Sequence, residues 1–389
     1  MRPPVIENEI INLLEEIIMA FTAKDVKALR EKTGVGMMEC KKALVESDGD
    51  MDKAIDYLRE RGLAAAQKKA SRIAAEGVVL PYYDAETKKG VVVEVNSETD
   101  FVAKNEKFMS FVEGVAKTIL ATDPADVEAL KEEKFNGTDR TVTETLNDLV
   151  LAIGENMKVR RFERMEGIVS TYIHAGGAVG VMVGFDVADE AKAADPEFVA
   201  MGKNVAMQIA AMSPEYLSKA DISEDELAKM HSITVDSALN TPQSLPMPIL
   251  TSIINEAIDG KKWTDEDITI YQGLDNKQRK NFTNFISKEA LEILAGIAVS
   301  HKAEISENKI FVGLVQGRLS KQIKEICLLE QEFVRSDLFQ GSVGAYIDSV
   351  AKALGTEIKA NGFIRMMKGE GLEKREENFA EEIAKQING

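Results

Sequence analysis

The sequence predicts an α+β fold: a three-helix bundle, two α+β subdomains with small antiparallel sheets, a projecting helical region and a C-terminal helix. Three observations lead there. Apolar residues recur at helical spacing early in the chain and later alternate in twos, as in Val91, Val93 and Val95. A hairpin pattern followed by an amphipathic helix occurs twice. From about Asp221 to Lys324 the pattern is helical again, with charged faces.

Residues 1–21 read as an extra, mildly amphipathic extension. The first domain, 22–62, opens at Thr22, with Asp25 three residues on as a capping box. Val26 and Leu29 share the inner face of that helix, and Thr33-Gly34-Val35-Gly36 breaks it. A second helix carries Met37, Cys40 and Leu44. After Ser47-Asp48-Gly49-Asp50 a third carries Met51, Ala54, Ile55 and Leu58 at helical spacing. Residues 63–76, with Lys68, Lys69 and Arg72, read as a basic helical linker.

The first core subdomain covers 77–165. Gly77–Tyr83 and the valine run predict a hairpin. The polar loop Ser97-Glu98-Thr99-Asp100 leads to a helix striped with Phe108, Phe111, Val112, Val115 and Ile119. Thr141 and Glu144 cap a further helix with Leu146, Leu149, Val150 and Ile153 on its inner face. The second subdomain starts over 166–220. Its strands Gly167–His174 and Ala178–Val187 precede a helix through Phe198, Val205, Ile209 and Met212. Residues 221–324 predict helices projecting from the core, partly coiled-coil although the heptads are poor; Pro242, Pro246 and Pro248 interrupt them, and the lone tryptophan, Trp263, lies among them. The second subdomain resumes over 325–374. Val343, Ile347, Val350 and Leu354 mark a helix there, and Phe363, Arg365 and Met367 a strand. Phe379, Ile383 and Ile387 predict a terminal helix over 375–389.

Composition narrows the function. The chain has 389 residues, 44% of them hydrophobic and 6% aromatic, which suits a globular protein of several domains. No apolar run approaches the ~20 residues of a membrane span. The net charge of −17 argues against nucleic acid as the main partner, because phosphate binding needs clustered cations. Cys40 and Cys327 make neither a CxxC pair nor a metal motif, which predicts a reducing, cytoplasmic setting. Glu7, Glu9, Glu15 and Glu16 in the first eighteen residues are unlike an export signal.

Enzyme signatures are absent from the sequence. There is no GxxxxGK[ST] phosphate loop, no HExxH and no GxSxG. His174, His231 and His301 are too scattered for a local metal site. Gly176, Gly177 and Gly180 fall inside a strand–strand hairpin and read as a turn. Cys40 sits on an apolar helical face and reads as a packed thiol. No cofactor, metal or catalytic residue is expected.

The informative segment is Thr99-Asp100-Phe101-Val102-Ala103-Lys104-Asn105. The residues alone leave two readings. In one, Asp100 or Asn105 caps the next helix and Phe101 plugs the core. In the other, a rigid aromatic beside an acid forms an interaction tip.

Five ordered stretches resemble the elongation factor Ts family: Leu29–Leu44, Glu94–Asn105, His174–Val183, Phe333–Asp337 and Gly362–Lys374. The resemblance implies that the chain is not an enzyme but a binding protein that releases GDP from elongation factor Tu. It implies no direct binding of nucleotide, nucleic acid or membrane. In the family the acid–aromatic loop approaches the GTPase near its bound magnesium, and the aromatic pushes between helices. That role falls here on Thr99, Asp100, Phe101 and Val102, with Phe101 as wedge. His174, Val334 and Lys41 match further partner contacts; taken alone, His174 could close a hairpin, Val334 could be core and Lys41 a solvated charge. The segment at about 233–306 looks additional to the family pattern. So does the extension before Met19, which stands where an initiator would be expected. The N-terminal bundle also resembles ubiquitin-associated domains, so a non-catalytic adaptor is the alternative.

Overall fold

Thr22 starts the first helix as the capping box requires: its hydroxyl accepts the Asp25 amide, and Asp25 accepts the Thr22 amide in return. The computed structural model describes residues 21–373. The readings for residues 1–20 of the N-terminal extension, Met19 and the terminal helix around Phe379 therefore lie outside the described residues; Phe21, read as the last residue of the extension, is buried in the core of the first bundle. The architecture is α+β. It divides into two compact units, one holding the residues up to Ser213 and those from Ile347 on, the other Pro214–Tyr346.

In the first unit, α1 (Ala23–Thr33), α2 (Met37–Glu46) and α3 (Met51–Lys69) enclose Val26, Leu29, Cys40, Ala43, Leu44, Ala54 and Leu58. Burial pushes the Cys40 thiol up, as expected of a packed side chain rather than a nucleophile. α3 runs on through the first half of the basic segment, as far as Lys69; residues 70–75 are not helical, and Glu76 opens the first strand. α3 lies close against α6 (Val142–Ile153), where a Cβ on Gly62 would stand 3.2 Å from the Asn147 carbonyl oxygen.

Two three-stranded antiparallel sheets follow. The first has the order β1 (Glu76–Asp84), β2 (Lys89–Ser97), β3 (Met157–Glu166); the second has β4 (Ile168–His174), β5 (Val179–Val187), β6 (Ile358–Met367). Their inner faces bury Val79 and Val92 with Val169, Met182, Ile364 and Met366. On β6 the residues that join this face are thus Ile364 and Met366, opposite Phe363, Arg365 and Met367; Ile358 is buried as well. The outer face of the first sheet packs Val91, Val93 and Val95 on Phe108, Phe111, Val112, Val115 and Ile119 of α4 (Glu106–Thr122). The valine run is consequently buried on both faces.

β3 is a strand that hydrophobic periodicity does not reveal. Its sequence, MKVRRFERME, looks solvated. A β-bulge between Glu94 and Val95 on β2 leaves Arg160 as the extra residue, so Arg160 and its neighbour Arg161 both reach the Glu94 carboxylate, at 3.0 and 2.7 Å. Asn96 and the Gly369 amide also donate to Glu94, at 3.0 and 2.8 Å. Gly369 has φ +67°, and a Cβ there would lie 2.4 Å from the Ala75 carbonyl oxygen, so the turn after β6 needs glycine. Burial alone would push the Glu94 carboxyl up. The hydrogen bonds from Asn96, Gly369, Arg161 and Arg160 outweigh it and hold the group below the ordinary range.

The remaining elements of this unit are α5 (Val127–Glu132) and α7 (Pro196–Met212). In the second unit, α8 (Glu224–Leu239), α9 (Met247–Asp259), α10 (Asp265–Gly273), α11 (Lys288–Ser300), α12 (Lys302–Glu307) and α13 (Lys309–Ile326) have a core of their own. Trp263 lies in it, donating its Nε1–H to the Ala290 carbonyl at 3.0 Å and meeting Tyr271 edge to face at 5.7 Å. Pro246 and Pro248 bracket the first residue of α9, where no helical amide is lost. α14 (Val343–Leu354) spans the division between the two units.

Candidate functional site

The loop from β2 to α4 is built from short-range bonds outward. Asn105 caps α4, accepting the Lys107 and Phe108 amides at 2.9 and 3.4 Å. Before it, Val102–Lys104 make one 3₁₀ turn, closed by the Lys104 amide on the Phe101 carbonyl and the Asn105 amide on the Val102 carbonyl. That turn puts adjacent apolar residues on opposite sides. Val102 is 4% exposed and joins the core under α4, whereas Phe101 is 76% exposed. The core plug is therefore Val102, not Phe101, and the cap is Asn105, not Asp100.

Around the phenyl ring the chemistry is mixed. Lys104 Nζ stands 5.9 Å from the ring centroid and 3.5 Å from the Asp100 carboxylate, with both charged groups well solvated. Thr99 turns the other way. Its amide and its hydroxyl both donate to Glu155, at 3.0 and 2.7 Å. Glu98 accepts the Asn156 amide at 2.6 Å and faces Arg72 at 3.4 Å. Of the four residues read as a contact tip, Asp100 and Phe101 face solvent, while Thr99 and Val102 hold the loop. Glu155 and Asn156, which brace it, carry no local sequence signal beyond a polar turn after α6.

The three outlying residues are placed as follows. His174 ends β4 and is exposed; its Nδ1 lies 3.3 Å from the Tyr172 hydroxyl, and its carbonyl accepts the Gly177 and Ala178 amides of the turn. Lys41 is exposed on α2, among Met37, Met38 and Val45, which are also exposed; Met38 is 77% so. Val334 belongs to the second compact unit and is half exposed, as is Leu338 in the same loop. Phe333 between them and the core stacks on Tyr346 at 4.2 Å. Among the described residues no group of three or more His, Cys, Asp or Glu could hold a metal ion, and no helix is long and apolar enough to cross a membrane.

A family profile described as Elongation factor TS matches residues 98–370, starting inside this loop and ending in the turn that caps Glu94. The chain belongs to the elongation factor Ts family. Similar proteins named Elongation factor Ts include one from Clostridium perfringens (strain SM101 / Type A), 41% identical over 94% of this chain and 98% of its own length. Others come from Clostridium botulinum (strain Alaska E43 / Type E3), 40% identical over 94% and 99%, and Clostridium kluyveri (strain NBRC 12016), 40% identical over 95% and 99%. Membership of the elongation factor Ts family makes this a factor of translation, in protein biosynthesis.

Proposed function

We propose that this chain is a guanine-nucleotide exchange factor that binds elongation factor Tu·GDP in the cytoplasm and releases the GDP by disturbing the partner's magnesium and phosphate-loop contacts. One observation carries the reading: Phe101, a large aromatic, is held out in solvent on a loop whose neighbours on both sides are anchored. A ring in water adds nothing to the fold, whereas aromatic anchors of this kind dominate interfaces. The exposed face of α2 around Lys41 offers a second contact, and Val334 with Leu338 a third.

No bond to the nucleotide need form or break. A protein that binds the nucleotide-free partner more tightly than the GDP-bound one must, by linkage, weaken GDP binding by the same factor. Stopped-flow release of mant-GDP from elongation factor Tu tests this. Catalytic amounts of the chain speed release, and the chain alone hydrolyses no GTP. An unchanged release rate overturns the proposal. The adaptor reading draws support from the apolar face of α2; binding to the partner without faster release would favour it.

A further inference from the structure

We propose that Glu155 is a positioning residue for Phe101, holding the loop through Thr99 so that the ring is presented in one orientation for the release step. The role rests on the exchange reading above and adds to it a residue that never touches the partner.

The geometry is reciprocal. Glu155 takes two donors from Thr99, one on each carboxylate oxygen, while the amide of the next residue, Asn156, donates to Glu98. Consecutive residues on one side thus grip consecutive residues on the other. Charge-assisted, two-pronged hydrogen bonds of this kind fix orientation as well as distance. Asn156 is buried and its side chain donates to the Arg72 carbonyl at 2.8 Å, which ties in the chain just after α3. Lys69 donates to the Gly154 carbonyl on the same turn. Gly154 itself, at φ +88°, ends α6 in the left-handed conformation that turns the chain back toward the loop. Phe101 is two residues beyond Thr99, with Val102 buried on its far side, so the ring has little freedom except about its own side-chain bonds.

The second half of the molecule supplies an internal comparison. There the loop after β5 meets the turn past a left-handed glycine, Gly355, through the Asp189 amide on the Thr356 hydroxyl at 3.0 Å and the Ala188 amide on the Glu357 carbonyl at 3.0 Å. Glu190 pairs with Lys88, and among the described residues no carboxylate of that turn takes two donors from the loop. No aromatic follows; the residues of its 3₁₀ turn, Glu190–Ala194, include none that is buried. The carboxylate clasp with its extra donors occurs where an exposed ring must be aimed.

Release of mant-GDP from elongation factor Tu, titrated with full-length variants, separates positioning from binding. Glu155→Ala lowers the maximal release rate about tenfold, since a small misplacement of a group that must be positioned is costly, with half-saturation within about twofold of wild type. Thr99→Val lowers it several-fold, Thr99→Ser recovers most of that loss, and Thr99→Val with Glu155→Ala is no worse than Glu155→Ala alone because both remove one interaction. Hydrogen exchange of the Thr99 amide rises in Glu155→Ala while the α4 amides stay protected. Should Glu155→Ala fail to fold, Glu155→Gln, which leaves one acceptor oxygen for two donors, carries the same test. The role is overturned if the variants release GDP at the wild-type maximal rate, if the loss appears only in half-saturation, or if it follows the melting temperature across the series. Wild type that does not accelerate release overturns the exchange reading instead, and this role with it.

Discussion

The two halves of the first compact unit are the same device built twice. α4 and α7 are both 17 residues long, Phe198 of the second answers Phe108 of the first, and each helix ends in a left-handed residue, Asp123 or Ser213. α6 and α14 are both 12 residues long, and β3 and β6 both 10. Each middle strand faces a bulge at the same place, with Arg160 as the extra residue in one sheet and Asn361 in the other. What differs is the side chains set on that frame. Where the first half has Glu94, the second has Gly184; where the first has Phe101, the second has Ala191. Backbone and function are therefore separable here. Both halves can carry a loop at this position, and only one carries a ring exposed for a partner.

The bulges provide the largest expected effect. Glu94→Ala takes from Arg160 and Arg161 the buried acceptor they share, leaving them Glu370 and the Met367 carbonyl, and removal of one side of such a network costs about 3 kcal/mol. Urea unfolding measures it. The same group gives a pH signature. Its folded pKa is depressed, so its contribution is present above the ordinary carboxylate value of ~4.3 and is lost as pH falls through the folded value. Stability of wild type therefore drops on acidification through that window, and the drop is smaller in Glu94→Gln. An acid profile identical in the two would detach the network from stability.

The loops come next. Phe101→Ala lowers the release rate roughly thirtyfold, about 2 kcal/mol, with the melting temperature unchanged because the ring is already in water. Ala191→Phe in the second loop changes neither quantity by much; a gain in release there would show that any exposed ring on this frame suffices. Val102→Ala behaves in the opposite way to Phe101→Ala. It removes two buried methyl groups and costs about 2 kcal/mol of stability, while release per folded molecule holds. Normal stability with impaired release would make Val102 a contact instead of an anchor. The smallest effect belongs to the second bulge. Asn361 donates to an exposed Asp186 at 2.7 Å, and Asp186→Ala costs under about 1 kcal/mol.

Local chemistry reveals the elements whose partners lie within a turn or two of one another. Thr22 with Asp25 and Thr141 with Glu144 announce helix starts because both partners of each cap lie within one turn, and both capping boxes form. The stripe from Phe108 to Ile119 announces its buried face because helical spacing is a property of the segment. The candidate loop was legible as an acid beside an aromatic, but not which of Phe101 and Val102 is inside. That depends on the phase of one 3₁₀ turn, and both side chains are apolar. Nor could β3 be read, since Arg160 and Arg161 are drawn inward by a carboxylate 66 and 67 residues away. Glu155 is likewise 56 residues from Thr99. Pairings over such distances have no local propensity to reveal them. They exist because the folded chain removes the competing water, and tertiary structure alone decides which charges are left to meet.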